Sequence, residues 1–216
     1  MNDENEGQMA AEEKNKPSFS KPAFHVRTKR LFMKTLDVEA DADYIFAIRS
    51  RMDVMKWSST RKPDADVAAT KENLLNFELK GALGLSVFET SNPTRAIGII
   101  GFYRRENGFE LGYLIHPDFW GRGYATEGVR AAIDLWWDFI VVHRQIDDDK
   151  EALEKDIVLD AITDAHNLGS NRVLERCGFA KVKEEADKLG PCFLWELRRK
   201  KATADWIHDI HDPDVD

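Results

Sequence analysis

The chain has few cysteines and no long apolar run. Its 216 residues include only two cysteines, Cys177 and Cys192. Two cysteines cannot form a disulfide framework or a four-ligand zinc site, so we expect reduced thiols and no structural metal. The sequence also lacks the roughly 18 consecutive apolar residues that a membrane-spanning helix needs. The opening MNDENEGQMAAEEKNK is polar and has no signal-peptide core, which predicts a cytoplasmic protein with no membrane partner.

The chain also lacks an excess of basic residues. Its net charge is −8, of which residues 1–24 carry −2 and residues 202–216 carry −5. The segment 25–201 is therefore nearly neutral, and the acidity of the ends favours solubility rather than a binding site. Since nucleic-acid binders usually present a basic face, we expect no nucleic-acid partner.

The apolar content is ordinary for a packed domain, at 43%. We interpret the chain as one folded domain, residues 25–201, between a disordered N-terminal tail (1–24) and an acidic C-terminal tail (202–216). His208 and His211 have a spacing that would suit a metal, but a polar tail explains them more simply.

Apolar periodicity predicts an α/β domain in the order β-α-α-β-β-β-α-β-α-β-β. Strands are expected at 26–36, 83–90, 95–106, 109–115, 156–163, 180–185 and 192–200, and helices at 41–57, 64–81, 124–142 and 170–179. This order predicts a mixed, mostly antiparallel sheet with one strand–helix–strand crossover in the middle.

Several boundaries have specific signals. Asp64 is a candidate N-cap, and Gly81 and Gly178 are candidate helix stops. The dipeptide NG at 107–108 predicts a hairpin turn. Residues 143–156 carry six acidic side chains and are interpreted as a solvated insert.

The stretch HPDFWGRGYATEG joins an apolar strand to a helical pattern. The first N–H groups of a helix have no intrahelical partners, and the helix dipole adds partial positive charge there. Gly121 and Gly123 keep the approaching backbone open, and Arg122 adds a cation. Ala125 and Thr126 keep the first turn small. The pattern predicts a cradle for an anion, most simply a pyrophosphate.

This junction has other interpretations. A turn eased by glycine would use the same residues without a ligand. The junction is not the dinucleotide fingerprint, because Thr126 stands where the third glycine would be, and it is not a P-loop, because no G-K-[ST] follows. A nucleotide-binding protein that uses the cradle for another pyrophosphate remains a third possibility.

Two motifs together carry a family resemblance. The stretch LGYLIHPDFWGRGYATEGVRAAIDL, followed by AHNLGSNRVLERCGF, resembles the GNAT N-acetyltransferase superfamily, and within it the Rim-type ribosomal-protein acetyltransferases. RTKRLFMKTL also matches the first strand of that subgroup, so the resemblance runs from about 27 to 200. It implies a sheet of six or seven strands with a central splayed parallel pair, formed by FELGYLI and DIVLDAIT, and about four flanking helices.

The resemblance also implies acetyl-CoA as co-substrate. The loop amides would bind its pyrophosphate, although Trp120 stands where many members have Gln or Arg, as is usual in the Rim-like subgroup. The backbone at Leu114 and Ile115 would pair with the pantetheine and offer an N–H to the thioester oxygen. Asn167 would hydrogen-bond the pantetheine, and Ser170 would lie near the sulfur. The implied acetyl-CoA-binding residues are Leu114, Ile115, Gly121, Arg122, Gly123, Tyr124, Ala125, Thr126, Asn167 and Ser170.

The implied chemistry is direct attack of a primary amine on the thioester. An ammonium has no lone pair, so a base is needed, and Glu110 is the best-placed carboxylate, directly or through water. An exposed strand carboxylate is the simpler interpretation of Glu110. His116 is expected to be a loop residue.

Many family members protonate the leaving thiolate with a tyrosine at the position of Leu174. Leu174 cannot do this, so the acid is Ser170, a water, or absent. Ser170 has a purely structural alternative as a helix N-cap. Cys177 is expected to be a packed thiol rather than a covalent nucleophile.

The acceptor is implied to be a small-molecule or peptide amine, and we expect a monomer or homodimer. The rival interpretation is a catalytically weak acyl-CoA-binding or sensor protein of the same fold.

Overall fold

The computed structural model describes residues 23–79, 83–105, 108–146 and 157–199, with the backbone alone at 79 and 140–146. In chain order, the elements are β1 (His25–Arg27), β2 (Leu31–Thr35), α1 (Val38–Arg49), α2 (Met52–Met55), α3 (Val67–Leu79), β3 (Leu83–Glu89), β4 (Gly98–Arg105), β5 (Gly108–Ile115), a 3₁₀ turn (Pro117–Phe119), α4 (Tyr124–Ile146), β6 (Ile157–Asp164), α5 (Leu168–Arg176), β7 (Ala180–Asp187) and β8 (Gly190–Arg199). None of the helices in these ranges is long and apolar enough to cross a membrane.

One sheet organises the domain. Its strand order is β1-β2-β3-β4-β5-β6-β8-β7, and only β5 and β6 pair in parallel. The predicted mixed, mostly antiparallel α/β fold with a central parallel pair is confirmed.

The helices divide between the two faces of the sheet. One apolar core includes Trp136 of α4 and Leu174 of α5. The other includes Ile45 of α1 and Phe77 of α3. Helices α4 and α5 therefore cover one face of the sheet, and α1 and α3 cover the opposite face.

Two predicted elements are each divided in the structure. The expected strand at 26–36 is an antiparallel pair, β1 and β2, because Leu31 N–H donates to Thr28 Oγ1 (2.9 Å) and closes a turn. The expected helix at 41–57 starts earlier, since Asp37 caps α1 by accepting from two backbone N–H groups, and it breaks before α2. The described chain therefore has eight strands and five α-helices instead of seven and four.

The N-cap prediction for Asp64 is wrong. Asp66 Oδ1 accepts the N–H of Ala69 (2.8 Å) at the start of α3. Asp64 instead pairs with Arg49 (2.6 Å) and accepts from Thr70 (2.7 Å), because the chain enters α3 two residues later than expected.

The charged insert is shorter than predicted. Helix α4 continues to Ile146, so residues 143–146 belong to it. The residues outside the described part include 1–22 of the N-terminal tail, Gly81, Asn107, 147–156 and the C-terminal tail, 202–216.

Candidate active site

A wedge opens between β5 and β6. The two strands pair only at Phe109 with Leu159 and at Glu110 with Asp160. Beyond this vertex, no register pair joins them within their described lengths, although β5 runs on to Ile115. The backbone groups that face the gap lack a strand partner, so an extended ligand can pair with them.

The β4–β5 ladder decides which backbone groups face the wedge. His116 N–H donates to Ile97 C=O (2.8 Å), and hydrogen-bonded pairs alternate along an antiparallel ladder. The N–H and C=O of Leu114 therefore face β4, whereas those of Tyr113 and Ile115 face the wedge. The predicted placement of the Leu114 backbone on the open edge is therefore wrong, and Tyr113 presents its backbone groups there instead. Ile115 keeps a free N–H on this edge, and its C=O accepts from Trp120 Nε1 (2.7 Å).

The glycine junction lies at the open end of the wedge. Gly121 and Gly123 adopt φ values of 71° and 78°, a conformation that favours glycine. A Cβ at Gly121 would meet no atom within 4 Å, so the loop leaves open space beside its backbone. The Glu127 N–H donates to Gly123 C=O (3.1 Å) as the first bond of the helix. The amides of residues 124–126 therefore have no intrahelical acceptors and are available to an anion.

The β1–β2 turn holds this loop in place. Glu127 Oε1 accepts from Thr28 Oγ1 (2.6 Å) and from Arg30 N–H (2.9 Å), and Oε2 accepts from Arg30 Nε (2.7 Å). Arg30 also donates to Arg122 C=O (2.9 Å). Burial raises the pKa of Glu127, but the hydrogen bonds from Thr28 and Arg30 outweigh it, so the pKa lies below its ordinary value. The carboxylate therefore stays charged and clamps the loop.

Cationic side chains surround the junction. A groove beside α4 is lined by three arginines and two carboxylates, together with residues of the junction: Arg30, Arg130, Arg176, Glu127, Asp134, Gly123 and Thr126. Arg130 donates to Arg176 C=O, which joins the two helices. Guanidinium groups beside unpaired amides suit phosphate groups.

The N-terminus of α5 is capped by Asn167. Its Oδ1 accepts the N–H of Ser170 (3.2 Å), so the N-cap interpretation of Ser170 is wrong, and Ser170 lies inside the first turn. The Asn167 side chain retains its NH₂ donors for a ligand.

The other end of α5 agrees with prediction. Gly178 has a φ of 90° and ends the helix, with the Phe179 N–H donating to Leu174 C=O (3.1 Å).

Three carboxylates lie side by side at the vertex. Glu110, Asp160 and Glu196 are register partners on β5, β6 and β8, so they share the face opposite α4 and α5. Glu110 pairs with Arg105 (2.8 Å), and its side chain is 18% exposed, so it is a partly buried, ion-paired strand carboxylate.

Asp160 differs from its two neighbours. It is half-buried and has no ion pair among the described residues. Burial raises its pKa, and Glu196 adds to the effect, while Arg198 opposes it. Asp160 is therefore a second candidate base beside Glu110.

The opposite face of the wedge carries a tyrosine. Leu174 is 1% exposed and belongs to the core, so it offers no proton. The hydroxyl of Tyr113 is buried without a hydrogen-bond partner among the described residues. Burial raises its pKa, and Ser170 partly counteracts that effect.

Cys177 and His116 take structural roles. Burial raises the pKa of Cys177 to about 11, and its Sγ contacts Thr126 C=O at 3.7 Å, as a packed thiol should. His116 Nδ1 accepts the N–H of Asp118 (3.3 Å) at the start of the 3₁₀ turn, and burial lowers its pKa. His116 is the loop residue that the sequence predicts.

A family model described as acetyltransferase (GNAT) domain matches residues 30–180. The chain belongs to this GNAT acetyltransferase family. The resemblance in the two sequence motifs is thereby confirmed, and the protein is an acetyltransferase by family.

Relatives of this GNAT domain include both sequence and structural matches. An uncharacterized N-acetyltransferase, p20, of Bacillus licheniformis is 28% identical over 123 residues, which are 54% of this chain and 68% of p20. The structure of RimL, a ribosomal-protein α-N-acetyltransferase in complex with coenzyme A, has a TM-score of 0.63 at 13% identity, covering 81% of this chain and 98% of RimL. AAC(6')-Ib in complex with ribostamycin and coenzyme A has a TM-score of 0.60 at 16% identity, covering 78% and 93%. At these identities the two structures share the fold.

The GNAT wedge brings together most of the residues predicted from sequence. Glu110 lies at its vertex, Ile115 on its open edge, and the glycine junction at its mouth. Sequence analysis missed Asp160 and Tyr113. Both strands were predicted, and side-chain alternation along β5 puts Tyr113 on the face of the sheet opposite to Glu110. The alignment of Asp160 with Glu110 depends on the register of the parallel pair, which the sequence does not give.

Proposed function

We propose that this GNAT domain transfers the acetyl group of acetyl-CoA to a primary amine by direct attack in a ternary complex. The observation that carries the proposal is the continuity of the wedge. The amides of residues 124–126, which lack intrahelical acceptors, lead to the open edge of β5 and then to the carboxylates at the vertex. A phosphate group, an extended amide-containing arm and an amine find complementary partners in that order.

The residues present fit acetyl-CoA. The loop amides and Arg122 would hold the pyrophosphate. Ile115 and Tyr113 would pair with the pantetheine through their backbone, and Asn167 would donate to it through its NH₂ group. Acetyl-CoA supplies a thioester whose carbonyl carbon accepts the amine.

The vertex supports removal of the amine proton. In the reaction an N–C bond forms, the C–S bond breaks, the amine loses a proton and the sulfur gains one. Glu110 is proposed to take the amine proton, and Asp160 keeps a second carboxylate beside it. Ser170 places a hydroxyl on α5 at the other side of the wedge.

The acceptor is proposed to be a small-molecule or peptide amine. RimL acts on a ribosomal protein, and AAC(6')-Ib binds ribostamycin, so amines of both kinds are acceptors or ligands on this fold. A cytoplasmic location and a monomeric or homodimeric state are parts of the proposal.

A second candidate is a catalytically weak acyl-CoA sensor. Two observations favour it: Leu174 stands where many members have a tyrosine, and Arg105 neutralises Glu110.

The deciding experiment measures release of free thiol from acetyl-CoA with a panel of amines: N-terminal peptides, amino acids, polyamines and aminoglycosides. We expect at least one acceptor to give turnover. Tight coenzyme A binding by calorimetry without turnover on any amine would favour the sensor.

Matched variants then rank the two carboxylates. We expect Glu110→Gln to lower kcat by about 100-fold, as loss of a general base does, with little change in acetyl-CoA affinity. Asp160→Asn should have the smaller effect. The reverse order would transfer the role of base to Asp160, and no loss in either variant would contradict carboxylate base catalysis at the vertex.

A further inference from the structure

The hydroxyl of Tyr113 is an exception among the buried polar groups of this fold. Only Arg61, Tyr113 and Arg199 carry a buried side-chain nitrogen or oxygen without a hydrogen bond among the described residues. The two arginines have other nitrogens in their guanidinium groups, whereas the phenolic oxygen is the only polar atom of the Tyr113 side chain.

Elsewhere the fold satisfies its buried hydroxyls. Ser86 donates to Asp41 (2.7 Å), and Thr163 donates to Asn171 (2.6 Å) while accepting from Trp195 Nε1 (2.8 Å). An unsatisfied buried hydroxyl is unfavourable, so its retention calls for a specific explanation. The explanation we develop is a partner that arrives with the substrate.

The position of Tyr113 indicates what that partner is. Its backbone faces the open edge of β5, and its ring packs on the margin of the core under α4 and α5. Ser170 in the first turn of α5 lowers the pKa of the phenol as a weak hydrogen-bond partner outside ordinary hydrogen-bond geometry, and Cys177 beyond the last turn raises it through its charge. The hydroxyl therefore lies between the wedge and α5, on the face that also carries the glycine junction.

The phenol has the correct state for a donor. Burial raises the pKa of Tyr113 far above neutrality, so the oxygen carries its proton. Leu174 on α5 is apolar and buried, so it offers no proton to the wedge. A hydrogen-bond donor on β5, the strand that borders the wedge, would reach the same gap as a donor on α5.

We propose that Tyr113 donates its O–H to the sulfur of coenzyme A as the thioester is cleaved, in place of a donor on α5. This inference rests on the proposed function. As the C–S bond breaks, its electron pair remains on sulfur, the phenolic O–H stabilises the thiolate through a hydrogen bond and keeps its own proton, and the sulfur takes a proton from solvent as coenzyme A leaves. Tyr113 is then a catalytic residue for the leaving group, separate from the base at the vertex.

The test needs no knowledge of the acceptor. The thiol pKa of bound coenzyme A is measured from the ultraviolet absorbance of its thiolate, with the complex of a coenzyme A analogue lacking the sulfur as the blank. A phenol that donates to the thiolate stabilises it, so Tyr113→Phe should raise the thiol pKa by about one unit, a roughly tenfold loss of thiolate at a given pH. Coenzyme A affinity at neutral pH should be nearly unchanged, since the thiol is then mostly neutral.

Two comparison variants keep the result specific. Tyr103→Phe removes the hydroxyl of a half-buried tyrosine on the opposite face, where Tyr103 packs edge-on against Phe77, and it should leave the thiol pKa unchanged. Ser170→Ala tests whether the Ser170 hydroxyl, rather than the Tyr113 hydroxyl, lowers the thiol pKa. A shift with Ser170→Ala and none with Tyr113→Phe would overturn the inference in favour of Ser170.

The remaining outcomes are distinguishable. If wild-type protein binds coenzyme A and Tyr113→Phe leaves the thiol pKa unchanged, the inference fails while the proposed function stands. Weaker coenzyme A binding without a pKa shift would mean that the hydroxyl contacts another atom of the ligand, and it would also overturn the inference. If wild-type protein binds no coenzyme A, both proposals fall.

Discussion

At the scale of single residues, the site depends on backbone conformations that few side chains tolerate. Gly121 and Gly123 occupy the left-handed region, where residues with a Cβ are strained. Sequence spacing predicted these two glycines correctly, because a strand that runs directly into a helix needs them. The orientation of Tyr113 was not predictable in full, since alternation gives the face of a side chain but not the neighbour to which its backbone points.

Replacing these glycines should reduce binding more than stability. We expect Gly121→Ala to weaken coenzyme A binding about tenfold, because left-handed strain of roughly 1–2 kcal/mol favours a different loop shape. Gly123→Val should abolish binding, since a β-branched side chain tolerates this conformation least. Calorimetry with coenzyme A measures both.

A matched control is available at Gly190, which has a φ of 120° and open space around it. Gly190→Ala lies in the β7–β8 turn, so it should lower the melting temperature and leave the affinity unchanged. Equal affinities for wild type and Gly121→Ala would contradict the cradle assignment.

At the scale of secondary structure, strands and helices were predictable, but their joints were not. Residues 26–36 alternate well enough for one strand, and only the Thr28 hydrogen bond to Leu31 N–H shows that the chain turns back there. Similarly, Asp64 and Asp66 are equally good N-caps by type, and the ion pair with Arg49 decides between them. Such choices depend on long-range partners that a local pattern does not contain.

The Glu127 clamp between the β1–β2 turn and α4 should stabilise the fold in a pH-dependent way. We expect Glu127→Gln to lower the free energy of unfolding by about 1–3 kcal/mol near neutral pH, since it weakens several hydrogen bonds to a charged group. The pKa of Glu127 is lower in the folded state, so its contribution is complete above the unfolded pKa of about 4.3 and is lost as the pH falls through the folded value.

Urea unfolding at a series of pH values measures this difference. The difference in the free energy of unfolding between the variant and wild type should disappear in acid. Glu39→Gln provides a control, because Glu39 is 76% exposed in its pair with Lys71 and should change stability little. A gap that persists unchanged below the folded pKa would show that the clamp does not depend on the charge.

The direction of the β5 backbone groups has its own test in hydrogen exchange. The amide of Leu114 should be protected because it faces β4, and the amides of Tyr113 and Ile115 should exchange faster because they face the wedge. Coenzyme A should protect these two. Fast exchange at Leu114 with protection at Tyr113 in the free protein would show that the register argument is wrong.

At the scale of the whole molecule, Phe24 contacts the domain although it lies one residue before the predicted boundary at residue 25. Phe24 N–H donates to Thr35 Oγ1 (2.7 Å), and Thr35 N–H donates to Phe24 C=O (3.0 Å). The Phe24 ring packs edge-on against Phe139, with 5.3 Å between the ring centroids. The expected boundary at residue 25 was drawn from composition, which changes gradually and cannot identify a single anchoring ring.

Truncations should detect this anchor. A chain that begins at residue 23 should keep the wild-type melting temperature. One that begins at residue 25 should melt lower, because it loses an aromatic contact and both hydrogen bonds between Phe24 and Thr35. Thermal unfolding followed by circular dichroism compares the two. Identical melting temperatures would show that Phe24 is dispensable.

The two sides of the wedge also have a consequence for the order of events. The glycine junction and Tyr113 lie on the side of α4 and α5, whereas Glu110 and Asp160 lie on the other side of the same sheet. In the proposed reaction, acetyl-CoA and the amine enter the gap between β5 and β6 from opposite faces of the sheet. Neither has to wait for the other to enter, and the acetylated product departs without passing coenzyme A. Steady-state kinetics should therefore show random binding, with each product competing only with the substrate from its own side.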